Sequence, residues 1–262
     1  MRRTIETLTF DLVDDICLAV RCGRVSLADL PQMTTRSLGA LLELAHSLPI
    51  ETGDQSWLVD ERFQPILNAR SNGGRRYQEG DIHLGYVAVS DFLKDETVET
   101  DFYNRARRAA EFAGFGKSDA AQFVAAIVEL YNNIFEHSRA VQSAYVAFAA
   151  YENCFEFVVA DAGVGVLQSL KSSSLYSSLG DDGSALELAL TEGVSRHDKE
   201  PDRGRGFRPI LVGLANLSEK LRFRSGDHAR EMERLSDGSI PAVTRQKSEL
   251  SGFFCSVSCV VQ

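Results

Sequence analysis

The sequence predicts an α+β fold, in which helices and antiparallel strands occupy separate stretches of the chain. A helix-like segment beginning at Asp119 is followed by two runs of alternating apolar residues, 144–151 and 154–160. The two residues between these runs are too short a connection for parallel strands, so the runs are predicted to form an antiparallel hairpin. A further alternating run at 252–261 predicts one more strand. Because helices and strands do not alternate along this part of the chain, a parallel βαβ sheet is not expected.

Residues 1–85 are predicted to form a small α/β accessory domain, in which 4–13 and 24–30 are strands. The segment 34–46 carries leucines on one side at helical spacing, which predicts an amphipathic helix. A strand followed by such a helix resembles the STAS-type domains of bacterial regulators. The segment 70–80, which contains two adjacent glycines, is the predicted linker.

Residues 86–262 are predicted to form the larger domain, with a capping-box-like start at Asp119 for its longest helix. A loop rich in Ser, Gly and Asp is expected over 172–206. The other predicted elements are strands at 85–92 and 221–224 and helices at 97–112, 184–191 and 207–219.

Composition and charge limit the classes of function. The chain has 262 residues, of which 44% are hydrophobic and 25% charged, as in ordinary soluble globular proteins. Its net charge of −9 argues against general binding to nucleic acid, which requires a basic surface. No apolar run is long enough to cross a bilayer, and the N-terminus lacks the apolar core of a signal peptide, so a cytoplasmic location without membrane attachment is expected. The five cysteines show no CxxC spacing, which favours neither zinc nor a disulfide framework.

The segment 129–138 places polar side chains on one stripe of an otherwise apolar helix. At about 100° per residue, Gln122, Glu129, Asn133 and Glu136 fall on one side. A helix that is apolar on both flanks is largely buried, so its polar stripe faces water, a ligand or a partner. Taken alone, the stripe is most simply interpreted as a solvated face.

Asp161 follows an apolar strand and precedes two glycines, Gly163 and Gly165. A carboxylate at this position can accept a hydrogen bond from a ligand amine, and glycines let the backbone approach a ligand closely. An ordinary Asp–Gly turn is the open alternative.

A second glycine-rich segment, 202–207, precedes a predicted helix. Its unpaired N–H groups and the dipole of the helix favour an anion, and neighbouring arginines can contact phosphate oxygens. Pro209 stands where a dinucleotide-binding motif has its third glycine, so a Rossmann-type site is not expected. An ordinary loop is the alternative. The candidate residues are Arg203, Gly204, Arg205 and Gly206.

In order, spacing and setting, these three segments resemble the N, G1 and G2 boxes of the GHKL ATPases, the superfamily of gyrase, Hsp90, histidine kinases and anti-sigma-factor serine kinases. The run at 193–195 and Ser225 with Gly226 after a strand are also similar to its kinase-like members. The resemblance covers about residues 90–262. It implies a Bergerat fold, a two-layer sandwich of a mostly antiparallel sheet and helices, with ATP bound between helices and a lid.

The resemblance also implies roles for individual residues. Asp161 would accept a hydrogen bond from the adenine amino group. Ser225 would lie near the same base, with an ordinary turn serine as the alternative. Asn133 would ligate Mg²⁺ through its amide oxygen, a hard ligand that suits this ion. The other implied nucleotide-binding residues are Gly163 and Gly165 at the floor of the site and Arg203, Gly204, Arg205 and Gly206 around the triphosphate.

Glu129 determines whether the chain is an enzyme. In relatives with Glu at this position it acts as a general base, so the resemblance implies an ATPase or a Ser/Thr kinase that acts on a regulatory protein partner. The alternative is a nucleotide-gated interaction module with little turnover. Glu136 departs from the family's pattern, because a basic residue usually contacts phosphate there. His46 lacks the acidic neighbour of a phosphoacceptor histidine and is assigned to the core or the surface. A homodimer is one assembly left open.

Overall fold

The structure, a computed structural model, describes residues 5–48, 57–71, 83–190, 214 and 217–261. Its main feature is a five-stranded sheet of antiparallel neighbours in the order β3-β4-β5-β7-β6, so the predicted α+β class is confirmed. The strands are β1 Glu6–Thr7, β2 Met33–Thr34, β3 Leu84–Ala88, β4 Tyr145–Tyr151, β5 Cys154–Asp161, β6 Ser218–Glu233 and β7 Ala242–Val260. The helices are α1 Phe10–Arg21, α2 Leu38–Ser47, α3 Gln64–Ser71, α4 Val89–Phe92, α5 Glu96–Phe112, α6 Lys117–His137, α7 Gly165–Lys171 and α8 Asp182–Ala189. Within the described ranges, no helix has both the length and the apolar character that a membrane span requires.

The predicted hairpin is confirmed and lies in the middle of the sheet. Strands β4 and β5 are antiparallel, and Tyr151 is the register partner of Cys154. Asn153 in the turn has a φ of 62°, a conformation that asparagine adopts more readily than most residues. Strand β7 pairs with the other side of β5. The end of β5 is therefore held between two strands rather than at an edge of the sheet.

One face of the sheet is covered by α5 and α6. Phe123, Ile127, Leu130 and Ile134 recur at helical spacing along α6 and are buried. The ring of Phe123 stacks on Phe155 of the sheet, with ring centres 5.4 Å apart. An apolar stripe packed on a sheet is thus what holds this helix in place.

The predicted capping box at Asp119 is wrong. Helix α6 begins two residues earlier, after Gly116, which makes no side-chain cap. Asp119 lies inside the first turn of the helix, where a carboxylate still interacts favourably with the helix dipole.

The opposite face of the sheet is covered by α1, α2 and α3. Leucines of α2 such as Leu41 share a continuous buried core with Tyr86, Tyr145 and Phe254 of the sheet. Helices therefore cover both faces, and the described chain has three layers. The layer beyond the sandwich expected for residues 86–262 is formed by helices of the N-terminal region. The division into domains 1–85 and 86–262 stays a prediction.

Two strands predicted in the first 30 residues are wrong. Over 4–13 the strand is limited to Glu6–Thr7, and α1 begins at Phe10. The helix forms because Thr9 caps it, accepting a hydrogen bond from Leu12 N at 3.3 Å, and because its buried residues recur at helical spacing. The segment 24–30 contains a 3₁₀ turn at Leu27–Asp29 in place of a strand.

Most other predicted elements are recovered with altered bounds. The helices predicted at 34–46, 97–112 and 184–191 correspond to α2, α5 and α8. The strand predicted at 221–224 lies within the longer β6, and the strand predicted at 252–261 corresponds to the end of the longer β7, which stops at Val260.

Three further segments differ from the sequence interpretation. The strand predicted at 85–92 ends at Ala88, where the chain turns into α4. The helix predicted at 207–219 is wrong at its end, since Ser218 begins β6, and 207–213 lie outside the described residues. Helix α7 had no predicted counterpart. Of the predicted linker at 70–80, residues 72–80 lie outside the described residues.

The ribbon formed by β6 and β7 bends back on itself near Gly226 and Gly252, whose φ values are 56° and 77°. The pairing register shifts at Gly226. Consequently Arg234 N donates a hydrogen bond to Glu219 O at 2.8 Å, and the second half of β6 lies beside the first. This bend encloses the side chain of Arg222, which is fully buried.

Candidate functional site

Asp161 ends the central strand β5 and is buried, with 2% of its surface exposed. Its Oδ1 accepts a hydrogen bond from Gly163 N at 2.7 Å. Burial raises the pKa of the Asp161 carboxyl from 3.8 to about 6, and the bond from Gly163 opposes that rise. Burying an ionised carboxylate costs free energy unless a further hydrogen-bond donor reaches it. Asp161 is therefore a candidate for ligand binding.

The turn after Asp161 is fixed against the end of helix α6. Val164 N donates to Ser138 O at 3.0 Å. A Cβ at Gly163 would lie 2.0 Å from that same carbonyl oxygen and 2.7 Å from Asp161 Oδ1. Glycine at this position is therefore required for the close approach of turn and helix.

Gly165 has a φ of 75° and begins helix α7. The next amide, Val166 N, donates to Ser225 Oγ at 2.9 Å, and Ser225 Oγ donates to Gly252 O at 3.0 Å. The serine is fully buried. Its hydroxyl thus joins α7, β6 and β7, a structural role that the sequence interpretation missed because the bonded partners lie far apart in sequence.

The polar stripe of α6 divides into an inner and an outer part. Glu129 and Asn133 are half-buried, whereas Gln122 and Glu136 are exposed. Asn133 Nδ2 donates to Glu129 O at 2.9 Å, so the amide is oriented and its Oδ1 remains the group that can bind a cation. The apolar flank is incomplete, because Phe135 is 52% exposed.

The stripe and the buried carboxylate belong to one region of the molecule. Asn133 precedes Ser138, the residue that anchors the turn after Asp161, by five residues, or about 7.5 Å along the helix axis. A region that combines an oriented amide oxygen, a half-buried carboxylate and a buried hydrogen-bond acceptor can bind a polar ligand that also carries a cation.

Four predicted site residues, Arg203, Gly204, Arg205 and Gly206, lie outside the described residues, as does the run at 193–195. The described Glu136 has its Oε2 4.0 Å from His137 Nε2. The predicted contacts of residues 203–206 with phosphate stay a prediction.

His46 is half-buried between the N-terminal helices and the sheet. Its Nε2 is 3.0 Å from Ser251 O, and its ring packs near Tyr145 and Phe254. Partial burial lowers the pKa of His46 to about 4. The structure thus packs this histidine against the core, which does not favour a phosphoacceptor role.

The comparisons with known proteins found weak structural likeness and no close relative. No family model and no curated protein matches the chain. Among solved structures, the B subunit of DNA gyrase from Myxococcus xanthus matches with 11% sequence identity and a TM-score of 0.28. The match covers 66% of this chain and 42% of that chain, so it spans less than half of the gyrase subunit. A likeness at this TM-score carries no argument about function, and the resemblance to GHKL ATPases continues to rest on the sequence motifs.

Proposed function

We propose that this chain is an ATP–Mg²⁺-binding regulatory protein of the GHKL superfamily, with a Bergerat-type site between α6 and the turn that follows β5. The observation that carries the proposal is Asp161, a carboxylate that is 2% exposed at the end of the central strand. The turn that follows it is bonded to the C-terminal end of α6 through Val164 N and Ser138 O.

Asp161 supports recognition of adenine. Its Oδ1 is engaged by Gly163 N, which leaves Oδ2 to accept a hydrogen bond from the adenine amino group. A hydrogen bond to a charged group contributes about 1.5–3 kcal/mol. Guanine presents a carbonyl oxygen in place of that amino group, and two acceptors facing each other repel, so the site should discriminate between the two bases.

Asn133 fits the magnesium ion that the family implies. Its amide oxygen is a hard ligand, and the bond from Nδ2 to Glu129 O holds the side chain in one orientation. One protein ligand is sufficient where phosphate oxygens and water supply the others. When bound, Mg²⁺ supplies positive charge that offsets the charge of the phosphates. The predicted phosphate contacts from Arg203 to Gly206 belong to the same proposal.

Calorimetric titration of the full chain tests the proposal. With Mg²⁺ present, ATP is expected to bind at least tenfold more tightly than GTP, because Asp161 pairs with the amino group of adenine alone. Leaving out Mg²⁺ is expected to weaken ATP binding, with a smaller effect on adenosine. Equal affinity for ATP and GTP would contradict the role of Asp161, and absence of binding by both would overturn the proposed function.

Glu129 is proposed as the general base that activates water or a Ser/Thr hydroxyl of a regulatory partner. The Glu129→Gln variant is expected to bind ATP as the wild type does and to release γ-phosphate at least about a hundredfold more slowly, the usual contribution of a positioned base. Phosphate release measured alone and with candidate partner proteins checks this expectation.

Glu96→Gln is the matched control, since it makes the same change at an exposed position of the neighbouring helix α5. It is expected to retain turnover. If the wild type binds ATP but shows no turnover with any partner offered, the chain is a nucleotide-gated interaction module.

A further inference from the structure

Six charged side chains form a buried ion network between the N-terminal helices and the β6–β7 ribbon. The network joins α1 and α2 to the sheet on the face opposite to α6. Its three carboxylates balance its three cations. The members are Asp14, Glu43 and Glu231 with Arg222, Arg224 and Lys247.

Glu43 of α2 is the centre of this network. It receives two hydrogen bonds from Arg222, at 2.7 and 2.8 Å, and one from Arg224. Asp14 of α1 lies 3.3 Å from the same nitrogen of Arg224. The side chains of Arg224 and Glu43 are 1% and 0% exposed. Arg224 Nη2 also donates to Ser248 O of β7. Since water is excluded, the two carboxylates and this carbonyl together hold the guanidinium of Arg224 in place.

Arg224 is followed directly by Ser225, the residue that joins α7 to the sheet. Successive residues of a strand point to opposite faces. Arg224 accordingly points to the N-terminal helices, and Ser225 points to α7, where its Oγ accepts from Val166 N at 2.9 Å. The position of one strand segment is thus set from both faces of the sheet.

We propose that Glu43 and Asp14 are positioning residues for the nucleotide site and that they act through Arg224 and Ser225. The N-terminal helices then set the position of the Gly165–Val166 turn, and with it the affinity for nucleotide. This inference rests on the proposed function, because it assigns the N-terminal region a role in regulating that same site.

A double-mutant cycle tests the route through Ser225. We would measure ATP affinity and the hydrogen exchange of the Val166 amide in Glu43→Gln, in Ser225→Ala and in the double variant. Glu43→Gln is expected to weaken ATP binding about fivefold and to accelerate exchange at Val166. In the Ser225→Ala background the same change should have no further effect on either quantity, since residues that act through one contact are not additive.

Glu231→Gln is the matched control. Glu231 contacts Arg222 and Arg245, and its neutralisation should lower thermal stability without changing Val166 exchange or ATP affinity. Asp14→Asn replaces Glu43→Gln if the latter does not fold, because Asp14 also contacts Arg224 but is 10% exposed.

The possible outcomes separate this inference from the proposed function. A lowered melting temperature with unchanged Val166 exchange and unchanged ATP affinity would overturn the positioning role. Additive effects in the double variant would overturn the route through Ser225. If the wild type does not bind ATP, the proposed function fails, but exchange at Val166 still tests the link: faster exchange in Glu43→Gln and not in Glu231→Gln supports it, and equal exchange overturns it.

Discussion

Removal of residues 1–82 is expected to leave the rest of the chain without a stable fold. The N-terminal helices bury one whole face of the sheet, including Tyr86, Tyr145 and Phe254. Without them these side chains would form a large exposed apolar surface, which promotes aggregation. A variant consisting of residues 83–262 should therefore be insoluble, or soluble without a cooperative thermal transition.

Unpaired charges add to this loss of packing. Arg222 and Arg224 would lose Glu43 and Asp14. Arg222, Arg224 and Lys247 would then be neighbouring cations with Glu231 as the remaining carboxylate of this group. Exposure to water would hydrate them, but their mutual repulsion would still destabilise the ribbon.

A second contact would be lost at the buried carboxylate of Glu156 in β5. Its oxygens accept hydrogen bonds from Leu38 N at 2.7 Å and Gly39 N at 2.8 Å, so the sheet itself caps the start of α2. A Cβ at Gly39 would lie 2.8 Å from Glu156 Oε1, which shows how closely the helix approaches the strand. Charge and packing both indicate that the two parts fold together.

The control is the full chain with a protease site inserted between residues 72 and 82. After cleavage the two parts should elute together and melt in one transition, because packing rather than the peptide link joins them. A monomeric 83–262 variant with a sharp transition would instead establish the accessory domain that the sequence suggested.

The hairpin and the helix α6 could be predicted because the information is local. Alternation on either side of Glu152 and Asn153 defines the two strands, and the spacing of Phe123, Ile127 and Ile134 defines the buried face of α6. The place of Asp161 at the end of a strand followed by a glycine turn could likewise be predicted from a few adjacent residues.

The third layer and the ion network could not be predicted in this way. Arg222 and Arg224 alternate with apolar residues in β6, a pattern that normally indicates a solvent-exposed face. Their partners Asp14 and Glu43 lie more than 170 residues away in sequence. Ser225 shows the same limitation, since its partner Val166 is 59 residues away and no short motif links them.

Asp161→Asn is expected to stabilise the unliganded protein at neutral pH and to weaken ATP binding. Folding stability and ATP affinity should therefore change in opposite directions. Burial raises the pKa of this carboxyl from 3.8 to about 6, so the folded state binds the proton more tightly than the unfolded state. The stability that it contributes is fully present below about pH 4 and is lost as the pH rises to about 6. Asparagine does not ionise and escapes this loss.

The expected gain in stability at pH 7 can be bounded. A pKa rise from 3.8 to about 6 corresponds to roughly 3 kcal/mol. The side-chain amide in the Asp161→Asn variant keeps an oxygen that accepts from Gly163 N. It also adds an N–H group without a partner in the unliganded protein, and this lowers the gain in the free energy of unfolding by about 1 kcal/mol or more. A melting temperature higher by roughly 5 °C at pH 7, with this advantage lost and slightly reversed near pH 4, is the expected result.

ATP affinity should change in the opposite direction, with a loss of at least about tenfold, because the amide is a weaker acceptor than the carboxylate for the adenine amino group. For the wild type, affinity should also fall as the pH is lowered through about 6, where protonation turns Asp161 into the same kind of weak acceptor. Asp15→Asn, the same change at an exposed position of α1, should alter neither property. An Asp161→Asn variant that melts higher yet binds ATP with wild-type affinity would show a carboxyl buried for structural reasons alone, and the adenine-binding role would then have to be abandoned.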